Sequence, residues 1–283
     1  MINEKNNPPV EKSRLDVEGR LRVYFPVFFE LLGDNKLDWT TAAKALTRKV
    51  NQWKAKANGG TIRVEASFYN IITAAIEGNQ QAATHLDFIK KVFEELIQRL
   101  DRDERRLIVP ALYGLLTNID RKFRNFLGEL LVLNNMKRNT QFKLQNAEVP
   151  VVSSVPNGPR IDFQFLDVNK SSTLLVEVVN VHLTDIANWS DERVNNLLHQ
   201  KIQHKLNITG IRKNPNFQLI PVFWGSFEEL VRIDLFYRVS GISFRNTVEP
   251  TSFASFTRAN GQKVHMFGTI RSIVDFYNSN QEA

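Results

Sequence analysis

The chain has 283 residues, 42% of them hydrophobic and 24% charged, enough for one large domain or two modest ones around a substantial core. Its formal net charge of +7 favours polyanionic partners, although the basic excess is shared by both halves and forms no separate arm. The absence of cysteine excludes disulfides, thiolate zinc sites and a cysteine nucleophile, and the five histidines (His85, His182, His199, His204, His265) lack the HExxH spacing of a zinc hydrolase.

Residues 1–15, rich in Asn, Pro and charge, read as a flexible tail without an apolar leader. No apolar run in the chain reaches membrane-spanning length, so the expectation is a soluble, intracellular, cytoplasmic protein with no membrane partner. Residues 16–117 form a helical N-terminal region. Leu86, Ile89, Val92, Phe93, Leu96, Ile97 and Leu100 follow the i, i+3, i+4, i+7 spacing of an amphipathic helix, and looser stripes lie at 18–32, 39–56, 63–77 and 104–116. The helical pattern continues to about residue 136.

After residue 140 the period falls to two. Glu148–Ser154, Gly158–Phe165 and Leu174–His182 read as three strands, the last two joined by the Asn169-Lys-Ser-Ser172 turn into a hairpin. A helix starts near Trp189 with Ser190 as N-cap. Phe217–Trp224 is then apolar enough for a strand buried on both faces, with Pro221 arguing for an edge or a bulge. Residues 118–240 are thus the core, in α/β order. Residues 241–283 read as a C-terminal extension packing on it: a polar Ser/Thr/Phe segment and a closing helix over Thr269–Tyr277.

The hairpin carries the chemistry. Strand alternation puts Asp162 and Gln164 on one side with Ile161, Phe163 and Phe165 on the other, while Glu177 shares a face with Leu175, Val179 and Val181. A carboxylate in an apolar row must take up a proton or find a cation, and two carboxylates on neighbouring strands repel unless a divalent metal shares them. Glu129 lies in an almost wholly apolar helix, Leu127–Leu133. The adjacent Gly128 costs helix stability, a cost that close approach to the sheet would explain.

Pro159-Arg-Ile-Asp162, Glu177 on the next strand and Glu129 on a preceding helix together resemble the PD-(D/E)XK nuclease superfamily, over roughly residues 118–235. The resemblance implies a restriction-endonuclease-like mixed sheet flanked by helices, with the helical N-terminal part as an added layer. It also implies hydrolysis of phosphodiester bonds, most readily in DNA, by an endonuclease dependent on Mg²⁺ or Mn²⁺. Asp162 and Glu177 would be the metal ligands, and Glu129 would position a further metal or water. The pattern departs at Val179, where the family carries its lysine. Lys201 follows Val194 and Leu198 on the next helix and is the replacement, with Lys205 and Gln200 as alternatives. Asn180 and His182 lie on the opposite strand face. The competing reading is a catalytically inactive nuclease-fold protein that binds nucleic acid or a protein partner, a homodimer included.

Overall fold

The structure, a computed structural model, describes residues 15–57, 64–151, 158–209, 216–240, 251–258 and 260–279. Residues 1–14 of the expected tail, and 152–154 of the first expected strand, lie outside them.

Helices occupy the first half: α1 (Val17–Tyr24), α2 (Val27–Leu32), α3 (Trp39–Lys56), α4 (Phe68–Ile76), α5 (Gln80–Arg99), α6 (Arg102–Leu107), α7 (Val109–Thr117) and α8 (Arg121–Asn139). Their starts are written in the sequence. Asp16, Asp38, Ser67, Asn79 and Asp101 each accept a hydrogen bond from the backbone N–H three residues on, satisfying a donor that the first turn leaves open. At α6, Glu104 returns the bond to the Asp101 N–H and completes a capping box.

The second half is β1 (Lys143–Pro150), β2 (Arg160–Asp167), β3 (Ser172–His182), α9 (Asp191–Thr209), β4 (Phe217–Trp224), α10 (Phe227–Ser240), β5 (Thr251–Thr257), β6 (Lys263–Thr269) and α11 (Ile270–Ser279). The protein is therefore mixed α/β. The six strands form one sheet in sequential order, antiparallel at β1–β2, β2–β3 and β5–β6, and parallel at β3–β4 and β4–β5, where α9 and α10 make the crossovers.

Alternation along the strands divides the core in two. Val176 and Val178 of β3, with Ile220, Val222 and Trp224 of β4, pack under α8 and the N-terminal helices. Val179 and Val181, with Phe217, Leu219 and Phe223, pack against α9, α10 and α11. The N-terminal helices share one continuous core with the sheet, from Val17 to Phe253.

Two expectations change. Pro221 is buried in a strand paired along its whole length with β3, not at an edge. Thr251 Oγ1 donates to the Pro221 carbonyl (3.0 Å), so the missing N–H faces the β5 side, where among the described residues pairing begins at Val222 opposite Thr251. The C-terminal segment also does more than pack on the core, since β5 and β6 extend the sheet itself. Thr251 and Ser252 can be buried there because their hydroxyls donate to the Pro221 and Phe223 carbonyls. The closing helix is α11.

Candidate functional site

The site lies where β2 leaves β3. Phe163 stands opposite Val176, so Asp162 falls opposite Glu177 and on the same face. There the carboxylates bind backbone: the Val178 N–H donates to Asp162 Oδ2 (2.6 Å), and the Asp162 N–H donates to Glu177 Oε2 (3.4 Å). On the other side of β2, Ala147 faces Phe163 and Val149 faces Ile161, which places Glu148 beside Asp162. Glu148 holds a left-handed backbone, φ 53°, unusual for a residue with a Cβ and a form of local strain that concentrates at functional sites.

Glu129 reaches the same place from α8. Oxygens of Glu129, Glu148 and Asp162 lie within 4.8 Å of one another, and all three side chains are half-buried. Sequence reasoning placed Glu129 and Asp162 here and missed Glu148. That residue stood at the start of an expected strand, but only the β1–β2 register puts it opposite Asp162. Glu177, expected as a metal ligand with Asp162, is outside this trio. It is 0% exposed and ion-paired through Oε1 to the Lys205 ammonium on α9.

Lys205 therefore holds the place assigned to Lys201. The buried stripe of α9 is Val194, Leu198, Ile202 and Leu206, a run of i, i+4 steps. Lys205 flanks that stripe next to Leu206, whereas Lys201 and Gln200 are turned out and exposed. His199 and His204 are exposed as well. Val179, where the resemblance would expect a lysine, is buried in the apolar core against α9.

Burial and mutual repulsion dominate the electrostatics. Glu129 is pushed well above the ordinary carboxylate range by burial and then by Asp162, with Glu148 and Glu177 adding to it. Asp162 is pushed up by burial and by Glu177, against the Val178 N–H bond that favours its charged form. Burial raises Glu177 too, and Lys205 opposes the rise. Lys205 itself is held above its usual value: burial would lower it, but Glu177, Asp162 and Glu129 outweigh that, so it is a cation at neutral pH.

Beneath the acids, α8 lies unusually close to β3. A Cβ at Gly128 would overlap Asn180 Oδ1, which accepts from Trp224 Nε1 (2.8 Å), while Asn180 Nδ2 donates to the Asn125 carbonyl (3.3 Å). The close approach expected at Gly128 is thus present. His182 Nε2 pairs with Asn125 Oδ1 (2.9 Å) on this α8 face, opposite Glu177, and burial with the nearby Arg124 pulls its pKa down to about 4. Next to it, a cavity of about 510 Å³ opens at the carboxyl ends of β3 and β4, lined by Arg121, Arg124, His182 and Trp224 among others. In open α/β sheets ligands enter at such strand ends.

The donor set fits a hard divalent cation. Three carboxylates from three separate elements supply oxygen only, the chemistry Mg²⁺, Mn²⁺ and Ca²⁺ prefer, and their mutual repulsion is what such a charge would relieve. No helix among the described residues is long and apolar enough to cross a membrane. Compared with known proteins, the chain matches no family model, no curated protein and no solved structure.

Proposed function

We propose that the protein is a metal-dependent nuclease that hydrolyses phosphodiester bonds, in DNA first, on a restriction-endonuclease-like core. One observation carries this reading: Glu129, Glu148 and Asp162 converge beside the buried Glu177 and its half-exposed partner Lys205. The order of elements agrees with it, since a helix bearing one acid precedes an antiparallel three-strand meander, a crossover helix and a parallel strand.

Glu129, Glu148 and Asp162 would hold the cation, Mg²⁺ or Mn²⁺. Bound there, it supplies Lewis-acid activation of a phosphoryl oxygen and of water. The Val178 N–H fixes Asp162, and the Asp162 N–H with Lys205 fixes Glu177. Lys205 brings a permanent positive charge to the same pocket, where it offsets charge developing on the phosphate oxygens.

The test is cleavage of single- and double-stranded DNA and RNA with Mg²⁺ or Mn²⁺, by wild type and by Asp162→Asn. Metal-dependent cutting lost in the variant supports the reading. Cutting that survives the substitution overturns it. The second reading, a nuclease-fold protein that only binds, is favoured by the buried Val179 at the lysine position. It gains if no substrate is cut and nucleic acid is still bound.

A further inference from the structure

The far edge of the sheet holds a second polar cavity, of about 700 Å³, between α5 and the β5–β6 hairpin. β6 is four strand spacings from β2, about 19 Å, so this cavity is separate from the acid trio. Its volume falls within the range of small-molecule sites, about 300–1,000 Å³.

Its charge is the reverse of the trio's. Lys91, Arg258 and Lys263 line it against one carboxylate, Asp87. Lys91 and Lys263 are not sunk in the core: Lys91 is exposed, and the Lys263 ammonium reaches across to Gln81 Oε1 (3.0 Å) in an exposed contact. The wall between these cations is aromatic, made by Phe88 and His265, whose ring centroids are 6.4 Å apart. Basic side chains around an aromatic surface are the usual means of holding a nucleic-acid strand, the cations on phosphate and the ring under a base.

The wall also carries unmet hydrogen-bonding capacity. His265 is 8% exposed, and beyond an approach to the Gln81 backbone its ring nitrogens have no hydrogen-bond partner among the described residues. Stacking on His85 (centroids 4.9 Å) and on Phe253 (5.6 Å) fixes the ring. Burial, and then His85, lowers its pKa to about 4, so near neutral pH it is an uncharged imidazole with one donor and one acceptor. Arg258 Nε is likewise buried without an acceptor. Buried polar atoms left unpaired are costly, and both residues belong to the lining of the cavity.

We propose that this cavity is a second binding site, which takes a nucleotide unit. Its phosphate lies among Lys91, Arg258 and Lys263, and its base rests on Phe88 with a polar edge toward His265. The site goes beyond the hydrolytic reading and does not require the acid trio to be catalytic. The unit is one nucleotide of a bound strand or a free nucleotide, and the two are separable by experiment.

The experiment uses the full chain in EDTA, so that nothing is cut, with a fluorescein-labelled single-stranded oligonucleotide, AMP and inorganic phosphate as probes. The comparison protein is Lys91→Ala/Lys263→Ala, whose fold is checked by thermal melting, and Lys54→Ala/Lys56→Ala, two exposed lysines of α3 removed for the same change in charge, serves as the control. The double substitution is expected to weaken oligonucleotide binding about tenfold or more and to reduce the log–log salt slope by about 1.4, the share of two phosphate contacts on a single strand. Lys54→Ala/Lys56→Ala leaves both nearly unchanged. If AMP binds with the same lysine dependence and competes with the oligonucleotide, the ligand is a free nucleotide; if only the oligonucleotide binds so, it is a strand. Binding that the double substitution leaves unaltered overturns the proposal, as does no binding of any probe or phosphate competing as well as AMP. A protein that binds this way yet never cuts would refute the nuclease reading alone.

Discussion

Buried Glu104 and the half-buried Glu129–Glu148–Asp162 trio are carboxylates served by the same helix, and the fold treats them in opposite ways. Glu104, 2% exposed, is fully provided for: Oε1 accepts from Lys137 Nζ (2.7 Å) and the Leu144 N–H (2.7 Å), and Oε2 accepts from the Asp101 N–H (3.0 Å). That carboxylate ties α6, α8 and β1 together. Two turns back along α8, Glu129 faces other acids instead, and burial and repulsion push it toward its neutral form. Burial of a carboxylate is therefore no mark of a site. The mark is a cluster whose demand for positive charge the surrounding fold leaves unmet.

Substitutions should separate the two regions, most sharply in activity. Asp162→Asn or Glu129→Gln should reduce metal-dependent cutting to background, and Lys205→Ala should reduce it by about 100- to 1,000-fold, the scale for losing one transition-state contact. Lys137→Met should leave cleavage per folded molecule unchanged. A cleavage assay on purified, folded protein gives the ranking, and full activity in Asp162→Asn would dissolve the contrast.

Stability should show the reverse order. Lys137→Met strands Glu104 with a buried charge and is expected to cost about 3–5 kcal/mol in denaturant unfolding. In metal-free buffer Glu129→Gln and Asp162→Asn should melt no lower than wild type, because each removes repulsion. If they lose as much stability as Lys137→Met, the trio is a structural network and not a site in waiting.

Added Mg²⁺ or Mn²⁺ should raise the melting temperature of wild type, by the equivalent of about 2.7 kcal/mol at one hundred times the dissociation constant, and leave that of Asp162→Asn nearly still. Equal shifts in both proteins would mean that the ion binds elsewhere. Gly128→Ala probes the support beneath the trio. Overlap with Asn180 should cost about 1–3 kcal/mol and lower cleavage by displacing α8 from β3.

The smallest effect is the response to pH. Glu129, Asp162 and Glu177 all have native pKa values raised above their ordinary ones, so the folded state holds their protons more tightly than the unfolded chain does. Their favourable contribution is complete below the ordinary carboxylate pKa, about 4, and is lost as pH rises through the elevated native values. Metal-free wild type should thus lose stability between acid and neutral pH. Glu129→Gln/Asp162→Asn should flatten that slope, and saturating Mg²⁺ should reverse it, both readable from urea midpoints across pH.

Much of this was legible in the chain and some was not, for local reasons. The N-terminal helices were legible because spacings such as Leu86, Ile89, Val92, Phe93 and Leu96 recur within a single element. β5 and β6 were not, because Thr251 and Ser252 are buried only by virtue of carbonyls on a strand some thirty residues earlier. Pro221 misled for the same reason, since its buried place beside β3, with Thr251 bonded to its carbonyl, depends on residues distant in sequence.

The site divides along the same line. The sequence by itself determined that Asp162 and Glu177 lie within apolar strands and Glu129 on a buried helix, because alternation and helical periodicity are properties of neighbouring residues. It also determined that the chain has no cysteine chemistry. Only the tertiary structure decided that Glu148 joins Asp162, which depends on the β1–β2 register, and that Lys205 and not Lys201 meets Glu177. A helix turns 100° per residue, so a rotation of α9 by part of a turn on the sheet exchanges a lysine that reaches Glu177 for one turned out to solvent, and the packing of Val194, Leu198, Ile202 and Leu206 sets that rotation.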